Sequence, residues 1–480
     1  MSKLRRHRRS LAFSGTRFGL FAGVGLLLLA ASCGSDGSSN GSEATGGDSG
    51  NPEAGATNTG ATAGEATTSR GGRSSRGGST GVGGEPPVDG GAGGVSGDPD
   101  GLLMPGADGP GYDGVDLDSL DLQKPPTGCV GGFDPDSETL ELSLDKTVPV
   151  VLVAVTNGVL TANGTACESA DGVPASTDGL TIVTITGGKE ANSVYVDTSS
   201  EFGAGLLSAG GDFNVDLGAG DDELIVLGSD HADSILLGNE SDTVWVDFSG
   251  DFEPDVRIVG VERALVSTGP KPDVVLCNGV ALSADPLAIP VKLFGGGAND
   301  YLLGGAADDQ LHGGIGNDTL DAGADAGGAD EYDGGPGEDL VDYSARVAGV
   351  VVTLAGIADD GEPNEGDDVS STIEDVIGAQ GPNTIAGSPI ENRIWGGPSI
   401  DVIQGGDGSD IIYGGDGDDD IDGGNGDDII YGDEGDDTLE GNSGDDLLDG
   451  YPGKNVVDGG TGDADICSLT KNDKGTGCEL

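Results

Sequence analysis

The sequence has few positive charges, few aromatic side chains and very few histidines. Its 480 residues include 21 Lys and Arg against 85 Asp and Glu, so the formal net charge is −64, and aromatic residues make up only 4%. A chain this acidic repels nucleic acids and anionic lipid headgroups, and we therefore expect no nucleic-acid partner. Gly is abundant instead, with 94 copies, which disfavours long helices. The composition leaves either a disordered chain or a β-fold that needs Gly and Asp at fixed positions.

Motifs of several enzyme classes are also missing. The sequence contains no HExxH motif for a zinc protease and no CxxC pair for a zinc or thioredoxin site. His231 and His312 are interpreted as turn or strand-face residues, and the GxSxG string at 37–41 lacks the strand and helix of a nucleophile elbow. We therefore expect no enzymatic activity. The alternative is an extracellular hydrolase or lyase with paired acidic residues in 127–290, and with the rest of the chain supporting its folding and stability.

Residues 1–33 have the composition of a secretory signal peptide. A basic, acid-free start is followed by the apolar run FGLFAGVGLLLLAAS, which ends at Cys33. Ala31 and Ser32 before this cysteine resemble the cleavage site of bacterial lipoproteins, and the resemblance implies that Cys33 carries the lipid. The alternative is plain cleavage near Ala31 with Cys33 unmodified. Both readings predict a mature chain outside the cytoplasm, in the extracellular space or at the cell surface, for example as an outer-membrane lipoprotein.

Export permits disulfides, and the spacing of the six cysteines suggests two of them. Proximity in sequence favours the pairs Cys129–Cys167 and Cys467–Cys478, and leaves Cys277 free and buried. Residues 34–126 are rich in Gly and Ser with few large apolar residues, which predicts a disordered spacer.

Short β-rich runs begin near residue 127. Sequences such as LTIVTIT and DTVWVDF are bounded by Gly, Asp and Asn, which is typical of strands. Fragments such as GAGDDELIV already have a degenerate repeat-like spacing of Gly, Asp and apolar residues. We interpret 127–290 as a β-rich region of irregular β-helix or sandwich type.

A nine-residue repeat dominates the rest of the chain. The first block, 291–343, contains GGGANDYLL, GGAADDQLH, GGIGNDTLD and GGPGEDLVD, and the second, 378–467, contains ten consecutive nonapeptides such as GGDGSDIIY. Residues 344–377 are interpreted as a strand interlude and 468–480 as a C-terminal cap. The pattern GGxGxDxUx is a calcium-binding β-helix signature. The sequence thus resembles the RTX, or haemolysin-type calcium-binding, repeat family of bacteria.

The resemblance implies an all-β fold, a right-handed parallel β-roll or β-helix of nonapeptide repeats. The eighth position is apolar in each repeat, as one buried residue on a three-residue strand requires. Two nonapeptides then form one coil, and equivalent residues of stacked coils lie 18 positions apart. The predicted inward residues include Leu302, Leu311, Leu320, Ile403, Ile412, Ile421, Ile430, Leu439, Leu448, Val457 and Ile466.

The acidic residues of the repeats predict calcium ions between the coils. Residues 405–449 contain 17 acidic and no basic residues, and two stacked carboxylates repel by roughly 3 kcal/mol at an effective dielectric near 20. Oxygen ligands without thiolate or imidazole favour Ca²⁺. The resemblance implies that position-six aspartates of stacked coils share the ions with backbone carbonyls. These are Asp300, Asp309, Asp318, Asp339, Asp401, Asp410, Asp419, Asp428, Asp437 and Asp446.

Several repeats depart from this pattern. Asn383, Asn392 and Asn455 replace the aspartate, and Ala464 stands at the sixth position of the last repeat. We expect weak or empty sites there. Tyr413 and Tyr431, 18 positions apart, are predicted to form a surface ladder with a packing role.

The sequence therefore predicts a secreted or surface-anchored β-roll that binds several calcium ions and becomes ordered on binding them. A structural or adhesive role is expected, with a cell surface or a polysaccharide as the contact. The membrane is expected as a partner only through the N-terminal lipid.

Overall fold

The computed structural model describes residues 115, 122–177, 180–198, 212–249, 254–279, 285–324, 327–354, 356 and 359–479. The predicted signal peptide, Cys33 and nearly all of the predicted spacer lie outside the described residues. Within these ranges every regular element is a β-strand, so the all-β prediction is confirmed. No helix in the described part of the chain has the length and apolar character needed to cross a membrane.

The described chain begins with seven short strands held by a disulfide between Cys129 and Cys167, the pair that sequence proximity suggested. Strands β4, β5 and β6 pair antiparallel in sequence order. The seven strands are β1 (Val130–Gly131), β2 (Phe133–Asp134), β3 (Thr139–Ser143), β4 (Val150–Thr156), β5 (Val159–Ala162), β6 (Thr165–Ala166) and β7 (Glu168–Ser169).

Nine further strands form long coils that alternate between two sheets. They are β8 (Ile182–Gly188), β9 (Ser193–Asp197), β10 (Asp212–Gly218), β11 (Glu223–Leu227), β12 (Ser234–Glu240), β13 (Thr243–Asp247), β14 (Val256–Val259), β15 (Arg263–Gly269) and β16 (Val274–Leu276). Parallel pairs join β3, β8, β10 and β14 in one sheet and β4, β9, β11 and β15 in the other. Strand β13 is the exception, because it pairs antiparallel with both β12 and β14.

The first repeat block continues these sheets without a break. Strand β17 pairs in parallel with β15, and β18 pairs in parallel with β16. The region upstream of the repeats is therefore part of the same stack of coils and differs mainly in the length of its turns. The block contains β17 (Val291–Gly297), β18 (Tyr301–Leu303), β19 (Gln310–Ile315), β20 (Thr319–Asp321), β21 (Glu331–Asp333) and β22 (Leu340–Asp342).

The interlude is the junction where one of the two sheets ends and a third begins. Its strands are β23 (Val351–Thr353), β24 (Asp368–Val369) and β25 (Asp375–Ile377). Strand β24 pairs with β21 as the last strand of one sheet, whereas β25 pairs with β22 and continues the opposite sheet. The fully buried Arg346 side chain donates to Glu365 Oε1 at 2.6 Å and to the Ala322 carbonyl at 2.8 Å. An internal ion pair thus holds the junction together.

The second repeat block forms the most regular coils. Its strands are β26 (Thr384–Ala386), β27 (Arg393–Gly397), β28 (Val402–Asp407), β29 (Ile411–Asp416), β30 (Asp420–Asn425), β31 (Ile429–Glu434), β32 (Thr438–Ser443), β33 (Leu447–Asp449), β34 (Val456–Asp458), β35 (Ile466–Ser468) and β36 (Lys474–Thr476). Strand β23 pairs with β26 and starts the new sheet. Strands β28 to β32 have six residues each. The prediction of three-residue strands was wrong for these five, because the first glycine of the following repeat also faces inward and extends the alternation.

In the repeat blocks the core consists of the position-eight side chains of two facing sheets. The position-eight residues from Leu302 to Val457 are at most 1% exposed. The prediction for Ile466 was wrong, because this side chain is 58% exposed. The last turn has one extra residue, so Leu448 pairs with Cys467 rather than with Ile466. A second disulfide joins Cys467 to Cys478, as sequence proximity suggested, and Cys277 is free and buried.

Candidate metal centre

The position-six aspartates of the repeats form two rows along the edges of the roll, which we call the aspartate ladders. In the second block the first ladder contains Asp401, Asp419 and Asp437, and the second contains Asp410, Asp428 and Asp446. All six are at most 2% exposed. The backbone N–H of each aspartate donates to Oδ1 of the equivalent residue in the next coil, for example from Asp401 to Asp419 and from Asp410 to Asp428, both at 2.8 Å. One carboxylate oxygen per turn is therefore used in stacking the coils.

The other carboxylate oxygen, Oδ2, is buried without a hydrogen-bond partner at nine of the ten predicted ligands. Asp309 is the exception, because its Oδ2 accepts from the N–H of Gly305 at 2.6 Å. A buried polar atom without a partner is costly and rare in native proteins. The nine are Asp300, Asp318, Asp339, Asp401, Asp410, Asp419, Asp428, Asp437 and Asp446.

Each of these oxygens faces the first glycine of its own repeat. A Cβ atom built on Gly405 would lie 2.4 Å from Asp410 Oδ2 and 2.5 Å from the carbonyl oxygen of Gly423 in the next coil. Real Cβ atoms do not approach other atoms this closely, so the position requires glycine. Oδ2 of the aspartate and a backbone carbonyl oxygen of the next coil thus both point to the space beside this glycine, and no hydrogen-bond donor lies between them.

The buried carboxylates titrate far from their usual range. The pKa of Asp300 is raised to about 9, mainly by removal from water and in part by the neighbouring carboxylates Asp273 and Asp318. Burial also raises the pKa of Asp419 and Asp428 to about 7, with additional repulsion from the aspartates of adjacent coils. At neutral pH the ladders therefore contain negative charges that the metal-free fold stabilises poorly.

The donor set fits a hard cation such as Ca²⁺. It consists of carboxylate and carbonyl oxygens from two coils, whereas thiolate and imidazole are absent from these turns. Among the described residues no cluster of three or more His, Cys, Asp or Glu side chains could hold a metal by itself. This is expected for a site between stacked turns, because the remaining ligands would be backbone carbonyls. The aspartates would hold the ion, which would supply the positive charge between the coils.

Two asparagines at the ladder position make different contacts. Asn383 Nδ2 donates to the carbonyls of Ala379 at 3.0 Å and Gly396 at 2.9 Å, and Asn455 Nδ2 donates to the carbonyl of Gly450 at 2.7 Å. The Asn383 amide therefore reaches a carbonyl of the next coil, equivalent to the Gly423 carbonyl beside Asp410 Oδ2, whereas the Asn455 amide bonds within its own turn. In Asn392 the amide instead donates to the carbonyl of Glu374 at 2.8 Å and accepts from the N–H of Ser388.

The ladders extend beyond the residues that the sequence identified. The carboxylates of six further aspartates accept a ladder hydrogen bond from the neighbouring coil: Asp222, Asp273, Asp330, Asp367, Asp465 and Asp473. Asp465 replaces Ala464 at the sixth position, because the extra residue shifts the last turn. All six come directly before a strand, and that signal could have identified them without any nine-residue spacing.

The remaining predicted residues lie on the surface of the roll. His231 is an exposed turn residue beside Asp230, and His312 lies on a strand and stacks on Phe294 with ring centroids 4.7 Å apart. Tyr413 stacks on Tyr431 at 5.1 Å, so the predicted tyrosine ladder is present. It is longer than predicted, because Trp395 stacks on Tyr413 at 5.8 Å and Tyr451 contacts Tyr431 at 6.0 Å.

Comparison with known protein families agrees with this geometry. Residues 294–327, 395–430 and 431–465 match the family described as RTX calcium-binding nonapeptide repeat. No curated protein matched the chain. The chain thus contains several copies of a repeat that binds calcium, and its all-β stack of parallel strands is the fold expected for it.

Proposed function

From these calcium-binding repeats we propose that the chain is an extracellular structural or adhesive module that becomes ordered and rigid when calcium binds. The single observation that supports this proposal best is the row of buried, unpartnered Oδ2 atoms along both ladders. Each faces a glycine turn whose backbone provides no donor to it, so these carboxylates lack a positive or hydrogen-donating partner where the coils meet.

Calcium would act as part of the core. One buried Ile or Leu per repeat contributes about 1.5–3 kcal/mol, whereas ordering each backbone residue costs about 1–2 kcal/mol. The repeat blocks are therefore poorly stabilised by apolar burial alone, and the repulsion between stacked carboxylates weakens them further. A divalent ion shared by adjacent turns would remove that repulsion and link the coils, so binding and folding would be coupled.

We further propose that the module acts outside the cytoplasm, attached through a lipid on Cys33. Support comes from the signal-peptide-like residues 1–33 and from the two disulfides, which form and persist in oxidising compartments. Radiolabelled fatty acid should enter the chain in its native host, and a Cys33→Ser variant should lose both the label and membrane attachment. A soluble, unlabelled wild-type chain would contradict the anchor and leave the calcium proposal intact.

We propose a binding role and not a catalytic one. Apart from β13, the strands between residues 182 and 276 pair in parallel within the same sheets as the repeats, which favours one continuous scaffold over a separate catalytic domain. Assay of the full chain against panels of polysaccharides and esters tests this proposal. Turnover that survives deletion of 295–480 would favour the hydrolase or lyase alternative.

The decisive experiment titrates the chelated chain with calcium and follows circular dichroism and heat. We expect β-structure to increase at roughly 0.1–1 mM calcium, the range of extracellular modules. Magnesium serves as the control, because its stricter octahedral geometry and slow dehydration suit a carbonyl-rich site poorly. Equal compactness and equal protease resistance in chelator and in calcium would refute the proposal.

A further inference from the structure

We propose that Asn383 and Asn455 replace a calcium ion by their own side-chain amides, so that both ends of the first ladder in the second block close without metal. The inference rests on the proposed function, because it identifies turns of the same ladder that need no ion. In this ladder Asn383 precedes Asp401, Asp419 and Asp437, and Asn455 follows them. The three turns that need calcium would then lie between two that do not.

The contacts of Asn383 satisfy every polar atom of its side chain. Its Oδ1 accepts from the N–H groups of Val350 at 3.0 Å and Ala379 at 3.2 Å. Its Nδ2 donates to the carbonyls of Ala379 and Gly396, and also to Asp401 Oδ1 at 3.0 Å. One amide group therefore bridges two carbonyls and the carboxylate of the next coil, so hydrogen bonds alone join the coils at this turn.

At the other end of the ladder, the Asn455 amide donates to carbonyls of its own turn. Its Oδ1 accepts from the N–H of Asp437 at 2.9 Å, and its Nδ2 donates to the carbonyls of Gly450 at 2.7 Å and Tyr451 at 3.1 Å. In the same turn the ammonium of Lys454 lies 2.8 Å from Asp436 Oδ2 of the preceding coil. This turn therefore has a buried amide donor, Asn455 Nδ2, and an exposed positive charge, the Lys454 ammonium.

The aspartates between them lack these contacts. Oδ2 of Asp401, Asp419 and Asp437 has no hydrogen-bond partner. Their Oδ1 atoms nevertheless accept the same ladder hydrogen bond as Oδ1 of Asn455. The difference between a carboxylate and an amide at one position thus decides whether the turn is left with an unpartnered oxygen. Each asparagine also joins its turn to a segment outside the second repeat block. Asn383 contacts Val350 of the interlude, and the N–H of Asn455 donates to Asp473 Oδ1 of the cap at 3.0 Å.

Hydrogen exchange of the wild-type chain in chelator tests the proposal without any substitution. We expect the amides of turns 378–383 and 450–455 to remain protected, and those of turn 414–419 to exchange at least tenfold faster than in calcium. Uniform exchange of all three turns in chelator would overturn the inference, even if calcium protects all of them. A wild-type chain that binds no calcium would instead refute the proposed function.

Exchanging the two residue types gives an independent test. Asn383→Asp and Asn455→Asp should each raise the number of bound calcium ions by one, as counted by calorimetry and native mass spectrometry. Each should also make its turn exchange quickly in chelator. Asp419→Asn is the matched control and should lower the count by one while keeping its turn protected in chelator. An unchanged calcium count in both aspartate variants would overturn the proposal, and if either variant fails to fold, the wild-type exchange experiment decides.

Discussion

Replacing Gly414 with alanine tests the geometry of the calcium turns most directly. Gly414 is the first residue of a nonapeptide and faces the carboxylate of Asp419. An added Cβ would lie 2.5 Å from Asp419 Oδ2, 2.8 Å from the Gly432 carbonyl and 3.1 Å from Cδ1 of Ile421. The carbonyl belongs to the backbone of the next coil and cannot move freely, so the carboxylate has to turn away.

The size of the effect follows from these contacts. Forcing a methyl group into a filled site costs about 1–3 kcal/mol. Turning the carboxylate also weakens the hydrogen bond that Asp419 Oδ1 accepts from Asp401 N–H at 2.8 Å, and a bond to a charged group contributes about 1.5–3 kcal/mol. We therefore expect Gly414→Ala to lower the free energy of unfolding in saturating calcium by roughly 3–5 kcal/mol. The loss of a correctly placed ligand should also weaken calcium binding at this turn.

Gly188→Ala is the control, because no atom lies within 4 Å of its added Cβ. Its effect should stay within about 0.5 kcal/mol. Urea unfolding at saturating calcium measures the stability of both variants, and calorimetry counts their ions. If Gly414→Ala matched the wild type in stability and in calcium binding, Oδ2 and the carbonyl could not define the ion site.

Three further predictions concern the junction, the protons and the cap. Arg346→Met leaves the buried Glu365 carboxylate without its partner and should destabilise the chain by about 3–5 kcal/mol with or without calcium. Urea unfolding measures this loss of stability. The double variant with Glu365→Met should recover most of it. Burial raises the pKa of Asp428 from 3.8 to about 7, so the calcium-free fold binds more protons than the unfolded chain between these values. Its stability should therefore fall as the pH rises from 4 to 7, and calcium should release protons at pH 7, as calorimetry in buffers of different ionisation enthalpy would reveal. Reducing the Cys467–Cys478 disulfide should speed hydrogen exchange in the last coil and leave turn 414–419 unchanged.

The repeats were predictable because each position of the nonapeptide has the same type of residue and the same structural role in successive copies. A position-eight residue such as Ile421 is apolar in every copy, and the glycines and aspartates keep a fixed distance from it, so the core and nine unpartnered ladder oxygens could be located from sequence. Upstream the coils have no constant length. Ile185 pairs with Val215 after 30 residues, whereas Val215 pairs with Ile258 after 43. Without a period, fragments such as GAGDDELIV indicate only a β-rich region of irregular β-helix or sandwich type, and they do not decide between the two.

Other features depend on contacts that sequence spacing does not encode. Ile466 was placed in the core by counting nines, but one additional residue in the last turn shifts the register and brings Asp465 into the ladder instead. The buried Arg346 lies in a segment to which no chemistry was assigned. Its partner Glu365 is 19 residues away in an acidic turn, and only folding shows which of the neighbouring acids it contacts.

The stacked rings of Trp395, Tyr413, Tyr431 and Tyr451 have an optical consequence. They lie on successive coils of one face, so their centroids come within 5.1–6.0 Å only when those coils are in register. Coupled aromatic transitions at such separations give near-ultraviolet bands that isolated rings lack. The sequence has only two tryptophans, and Trp395 is the one in the second block. The fluorescence of Trp395 and these near-ultraviolet bands should therefore report the assembly of the coils without an attached dye.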